Sequence, residues 1–406
     1  MVLNTIIRCL ETLGHELHVA YFAKGGASEP GGERSGATTY HRLPLPGAFQ
    51  LLRNGGRLAL DTSYTINEAL YFSVAGRDRC AETIAAVGPE LIVVDMLRCA
   101  QFVKSGDVPV ILDLDDLLSR RYRELARGSF TAEMILGYYA ERIPFLPLVG
   151  RVAQPFLATL IALESARLEH KEIDAVSRFD AVTLVSQREV EILRASCDAR
   201  VTVTAIPMAI DVPARHAVLS DRPSRLVFVG SPSYWPNRQA LIYADDVLFP
   251  HAERRLGAAL TLTVVGTADQ SQRSSFSPRM RFTGYVEDLD AVLTDHDIFI
   301  APIVSGSGIK TKVIEAMSRG LVVVGSPRAF EGLAVKHLEH ALVFETPDEF
   351  ADGLDYLRSH VGDARRMAES AFRYVSETFT FEVISERWRS TVQALYPRSL
   401  TPSPEA

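Results

Sequence analysis

The sequence predicts an α/β protein of two domains, each a parallel sheet covered by helices. Three observations lead there. A chain of 406 residues exceeds one ordinary core. Both halves alternate short apolar runs with helical patterns, the rhythm of parallel sheets. Between them lies Ile206–Pro223, which has little periodicity and carries Pro207, Pro213 and Pro223.

The strand candidates of the first half are Leu17–Phe22, Leu91–Asp95, Val108–Leu112 and Ala181–Val185. Those of the second are Leu226–Val229, Leu260–Val265, Ile298–Ala301, Leu321–Val324 and Ala341–Phe344. Continuous Val, Ile and Leu runs fit strands buried on both faces. Ser165–Val176, Gln239–Leu248, Lys310–Ser318 and Pro347–Leu357 read as helices between them. The expected division is 1–210 and 211–380, then a terminal helix at 381–396 that packs back on the first domain, and a disordered tail at 397–406. The chain opens on an amphipathic helix pattern, Val2–Leu13, before Gly14 and a strand. A domain of this type normally begins with a strand and a glycine-rich loop, so the first domain is expected to lack its first strand.

Hydrophobic residues make up 47% and charged residues 23%, as in ordinary globular proteins. A net charge of −7 argues against a nucleic-acid partner, which requires a basic surface. Cys9, Cys80, Cys99 and Cys197 are scattered, so neither a zinc site nor a disulfide framework is indicated, and a cytoplasmic setting is expected. The longest apolar region, Phe145–Leu163, is broken by Pro147, Gly150, Arg151, Gln154 and Pro155. It does not read as a span; it suits a core-facing or lid segment, or peripheral contact with the inner face of a membrane.

The chemistry concentrates after the strand that ends Ile300-Ala301-Pro302, in Ser305-Gly306-Ser307-Gly308-Ile309-Lys310-Thr311-Lys312-Val313-Ile314-Glu315. Gly306 and Gly308 let backbone amides approach a ligand. A helix beginning near Ile309 directs its N-terminal dipole at the same place. Lys310 and Lys312 add cationic charge, and Glu315, a turn further on, can accept two ribose hydroxyls. Diphosphate and ribose together describe a nucleotide-sugar. The same residues would also serve as a plain βα turn with solvated lysines and an exposed glutamate. A phosphate-binding loop of the Walker type fails to match, because Ile309 separates Gly308 from Lys310. A second turn, Gly230-Ser231, leads through Tyr234-Trp235-Pro236-Asn237 into another helix.

Phe228-Val229-Gly230-Ser231, Trp235-Pro236-Asn237, Val264-Val265-Gly266, Arg281–Leu289, Asp297–Pro302 and Lys312–Met317 together resemble family 4 of the retaining glycosyltransferases, over most of Arg225–Leu395. The subgroup it resembles acts in exopolysaccharide or secondary-metabolite glycosylation. The first half resembles the family more loosely, through Gly14–Leu17, Phe179–Thr183 and Ser186–Glu189. The resemblance implies the GT-B fold: two Rossmann-like domains facing across a cleft. It implies transfer of a sugar from a UDP- or GDP-linked donor to an acceptor hydroxyl, with retention by front-face attack and without a cofactor or metal. Glu315 matches the second glutamate of an E-x7-E signature and would hold the ribose. Lys310 or Lys312 matches the basic residue at the diphosphate, while Gly230 and Ser231 match the turn over the phosphates. Asn237, Gly306, Ser307, Gly308 and Ile309 complete the expected donor site. The first signature glutamate falls at Ser307, and the Asn-Gly usual between the domains is Met208-Ala209. The acceptor, whether a glycan, a lipid-linked sugar or a small natural product, is not specified by these residues.

In the first half, Val110-Ile111-Leu112-Asp113-Leu114-Asp115-Asp116 ends a strand in three carboxylates. Asp115 aligns roughly with a histidine that many members of the family carry, which makes it the catalytic candidate of this domain. The alternatives are a helix cap by Asp115 or Asp116, and a haloacid-dehalogenase-type phosphatase with Asp113 as nucleophile and Asp115 as acid/base. The phosphatase reading requires threonine or valine where Leu117 stands. The missing strand and Ser307 also motivate a third reading, a non-catalytic partner protein of the same fold.

Overall fold

The protein is described by a computed structural model over residues 2–22, 33–35, 38–104, 106–127, 154–197, 202–213, 216–306 and 308–396. The chain forms two compact units, Met1–Met208 with Ser385–Ala406, and Ala209–Ile384.

The first unit opens on α1 (Val2–Thr12) and β1 (Leu17–Phe22), followed by β2 (Glu33–Ser35) and β3 (Thr38–Leu43). Helices α2 (Ala48–Leu60), α3 (Ile66–Tyr71) and α4 (Val74–Val87) lead to β4 (Ile92–Asp95) and β5 (Val110–Asp113). Then come α5 (Leu118–Arg127), α6 (Gln154–Arg178), β6 (Ala181–Leu184), α7 (Gln187–Ala195) and β7 (Thr202–Ala205). No strand precedes α1 among the described residues. The strands form two sheets rather than one: β1-β3-β2, and a parallel β4-β5-β6-β7. The central β5 and β6 are wholly buried, as their apolar runs require.

The second unit contains β8 (Leu226–Val229), α8 (Trp235–Tyr243), α9 (Phe249–Leu256), β9 (Leu262–Val265), α10 (Gln270–Ser274), β10 (Met280–Gly284) and α11 (Leu289–Thr294). It continues with β11 (Ile298–Ala301), α12 (Thr311–Ser318), β12 (Val322–Gly325), β13 (Leu342–Val343), α13 (Pro347–Ser359), α14 (Val361–Thr378) and α15 (Phe381–Leu395). Its six strands are all parallel, in the order β10-β9-β8-β11-β12-β13. Phe228 and Phe299 stack on adjacent strands at 6.3 Å in a continuous core. Asp297 fastens the start of this core: its carboxylate accepts from the amides of Ser220, Ser224 and Arg225 and from the Arg225 guanidinium, and these partners hold it well below the usual carboxylate range.

The strand order reverses between β8 and β11. Parallel sheets of this kind bind ligands outside the carboxyl ends of the strands at such a reversal. The two glycine-bearing loops of the sequence analysis follow β8 and β11.

Helix α15 runs through the division of the chain, and its residues from Ser385 onward belong to the first unit. Trp388 is buried there, Arg387 donates to the Ala205 carbonyl at 3.4 Å, and the Tyr396 hydroxyl donates to the Glu90 carbonyl at 2.7 Å. The expected tail at 397–406 and the first part of Phe145–Leu163 lie outside the described residues. The rest of that segment begins α6, and no described helix is long and apolar enough to cross a membrane.

Candidate donor site

The turn after β8 is built around Gly230, whose φ is 151° and whose amide donates to the Val265 carbonyl at 2.8 Å. A Cβ there would lie 2.5 Å from Asn237 Nδ2 and 2.9 Å from Lys312 Nζ, so glycine is required by space as well as by conformation. Ser231 Oγ donates to the Thr267 carbonyl at 2.6 Å, closing the β8 turn onto the β9 turn. Asn237, in the first turn of α8, donates from Nδ2 to the Ser231 carbonyl at 3.0 Å and accepts at Oδ1 from Lys312 Nζ.

Lys312, in the first turn of α12, thus meets Asn237 beside the first loop. Its Nζ lies 4.6 Å from the centre of the Phe228 ring. Burial, with Lys310 beside it, lowers its ammonium to about 8, while Glu315 acts in the opposite sense. Lys310, the N-cap residue of α12, turns its Nζ to the Gly308 carbonyl. The Lys310 side chain does not cap α12, whose N-terminus follows this loop. Gly306 and Gly308 have φ of 98° and 73°, and Gly306 runs beside Pro236. Ile309 packs against the core of the unit.

Glu315 lies one turn along α12 from Lys312 and is half-buried. Among the described residues its carboxylate has no partner within hydrogen-bonding distance. Burial raises its carboxyl above the ordinary range, opposed by Arg319 and Lys312. A desolvated carboxylate with free acceptor positions beside a desolvated ammonium can hold two hydroxyls on one side and an anion on the other.

The structure therefore brings Gly230, Ser231, Asn237, Gly306, Gly308, Lys310, Lys312 and Glu315 into one site; Ser307 lies outside the described residues. Three contributors escape the sequence reading: Phe228 under the ammonium, Thr267, and the Ser305–Gln239 hydrogen bond that ties the second loop to α8. Gly266, which follows β9 as Gly230 follows β8, is the available signal for Thr267. Nothing in the sequence pairs Ser305 with Gln239.

The acidic cluster belongs to the first unit. Asp113 sits between Asp95 and Thr183 in strand register. It is 1% exposed and accepts from Thr183 Oγ1 at 2.7 Å, and burial pushes its carboxyl up to about 7. A carboxylate so enclosed is not presented as a nucleophile, which removes the geometric basis of the phosphatase reading. Asp115 is held at φ 63°, and burial with Asp116 beside it raises its carboxyl to about 6. At the start of α5, Glu189 accepts from the Leu117 amide and Glu172 from the Ser119 amide. Asp116 pairs with Arg121.

Solved structures share this architecture. Sucrose-phosphate synthase from Thermosynechococcus elongatus superposes with a TM-score of 0.64 at 15% identity, over 97% of this chain and 93% of that one. Alr3699/HepE of Anabaena, in complex with UDP and glucose, gives 0.58 at 14% identity, over 96% and 95%. Residues 223–360 match the family of group 1 glycosyl transferases. A curated relative, an uncharacterized 44.6 kDa protein in the cps region of Klebsiella pneumoniae, is 22% identical over 228 residues. That match takes in 53% of this chain and 57% of the relative, so the chain spans little more than half the relative's length. The fold is thus that of the GT-B glycosyltransferases. Within that fold, residues 223–360 of the second unit are similar to the group 1 glycosyl transferases.

Proposed function

We propose that the protein transfers a sugar from a nucleoside-diphosphate sugar, UDP- or GDP-linked, to an acceptor hydroxyl, with retention of configuration. One observation carries this: Glu315 and Lys312 stand a helical turn apart, and among the described residues the carboxylate has no hydrogen-bond partner while the ammonium bonds the neutral amide of Asn237. Glu315 would hold the ribose hydroxyls. Lys312, Lys310 and the amides at the start of α12 would meet the diphosphate.

Negative charge on the leaving diphosphate grows toward the transition state, and fixed donors aimed at that charge are the main source of rate. Losing one such donor costs ~3 kcal/mol. Two lysines and a helix N-terminus can carry this charge in the role a divalent cation has elsewhere, so turnover is expected to survive EDTA. Asp115, in the first unit, is the candidate to act at the acceptor side. The structurally similar HepE is seen in complex with UDP and glucose, which supports a UDP-linked donor here. The cps-region relative supports a polysaccharide acceptor.

Incubation with labelled UDP- and GDP-sugars, with and without EDTA, tests the reading. Saturable donor binding and donor hydrolysis or transfer in EDTA are expected. Absence of binding across the panel, or phosphate release from a monoester that depends on Mg²⁺, would overturn it.

A further inference from the structure

Helix α2 carries apolar side chains on two faces: Leu58 packs against the core of the unit, and a second set points away from it. Helices of globular proteins turn their apolar stripe to the core. Here the buried residue is Asn54, which donates to the carbonyls of Ala69 and Phe72 at 2.7 and 2.8 Å and accepts from Gln50 at 2.8 Å. The amide thereby satisfies the end of α3 and holds α2 in place. Phe49, Leu52 and Leu60 face outward, 81%, 76% and 89% exposed. At 3.6 residues per turn these three and Gly56 fall in a stripe about 80° wide, opposite Asn54. Arg53 and Arg57 border the stripe, and the helix contains no acidic residue. Arg57 bonds Asp61 just beyond the helix at 3.3 Å and stacks on Tyr64, whereas Arg53 is exposed.

We infer that this face of α2 is a docking surface for an anionic lipid bilayer. An apolar stripe bordered by cations, without acidic residues, is the design of a helix lying in the membrane interface, with its aromatic and leucine side chains among the acyl chains and its arginines among the headgroups. The chemistry of the border selects the occupant: a purely apolar protein partner would not account for the one-signed charge along it. A Cβ added at Gly55 or Gly56 would meet nothing within 4 Å, so the helix is open to a flat surface there. This gives a second place for peripheral contact besides Phe145–Leu163, and it is independent of the donor-site reading.

The test is co-sedimentation of the full chain with vesicles of phosphatidylcholine alone or with phosphatidylglycerol added. Binding to the anionic vesicles only, weakening with salt, is expected. The exposed triple variant Phe49→Ser/Leu52→Ser/Leu60→Ser should lose about a thousandfold in partitioning, at roughly tenfold per side chain, with its melting temperature unchanged. Arg53→Glu should weaken binding to anionic vesicles by several fold. Failure of the native chain to sediment with anionic vesicles would overturn the inference, as would unchanged partitioning of the triple variant. So would a dimer in sedimentation velocity that the triple variant abolishes while the native chain ignores lipid.

Discussion

Lys312 Nζ donates to Asn237 Oδ1 across the reversal of the second sheet, joining the first turn of α12 to the helix that follows β8. The two residues are 75 positions apart. Asn237 is the fixed member, because its other arm is bonded to Ser231. Asn237→Ala should leave the fold intact and free the ammonium from its aim. Turnover should then fall about tenfold or more with a smaller change in donor affinity, since charge on the leaving group is greatest in the transition state. Steady-state kcat and KM measure the split; an effect on KM alone would count against a positioning role.

The lowered Lys312 ammonium makes nucleotide binding pH-dependent. Below about 8 the group is charged and attracts the diphosphate; as pH rises through about 8 the attraction is lost. The sign for stability is opposite. The native state holds fewer protons than the unfolded chain between about 8 and the ordinary 10.5. Burial of this group therefore costs little above 10.5, costs more as pH falls, and has its full cost below about 8. Lys312→Met should abolish the pH dependence of binding and raise the melting temperature near neutrality. Calorimetric titrations on both sides of pH 8 check the first part, and thermal scans the second. A flat profile in the native protein contradicts it.

Gly230→Ala forces a Cβ into Asn237 and Lys312 and strains a backbone that side chains avoid. A destabilisation of ~1–3 kcal/mol is expected, with loss of nucleotide binding. Denaturant titration measures the first effect. A variant as stable as the parent and equally able to bind would show that the turn is not the closed junction described.

Glu172 gives the first unit its own pH signature. Burial raises this carboxyl from 4.5 to about 8, so the native state holds more protons than the unfolded chain over that interval. Stability is fully present below the ordinary value and is lost as pH rises through about 8. Asp113 and Glu164, each raised to about 7, act in the same direction. Glu172→Gln keeps one acceptor for the Ser119 amide and offers an Nε2 donor to the Ser119 hydroxyl, and should flatten part of the fall in melting temperature between mildly acidic and mildly alkaline pH. An unchanged slope would contradict the assignment.

Most of the fold is legible because buried parallel strands leave continuous apolar runs. Leu226–Val229, Ile298–Ala301 and Leu17–Phe22 match their apolar runs to the residue. Four strands leave no such run: β2 and β3, with Thr38-Thr39-Tyr40-His41-Arg42-Leu43 half-buried, and the mixed Thr202–Ala205 and Met280–Gly284. Short edge or half-exposed strands carry polar residues and lose that signal. The helix expected over Gln239–Leu248 begins instead at Trp235, because Pro236 sits in its first turn, and passes through a π turn at Ala244–Leu248 into α9. Glu315 and Lys312 are visible through their spacing on one helix. The bond from Lys312 to Asn237 is not, since it depends on which strands are neighbours.

The central claim, that Glu315 holds the donor ribose, is tested most directly by calorimetry of UDP and GDP binding to the native protein and to folded Glu315→Ala in EDTA. A hydrogen bond to a charged group contributes roughly 1.5–3 kcal/mol, about ten- to more than a hundredfold in affinity. The account predicts saturable binding of a nucleoside diphosphate without metal and a loss of that size in the variant, the same for the free diphosphate as for the nucleotide-sugar. Unchanged nucleotide affinity in Glu315→Ala would contradict it.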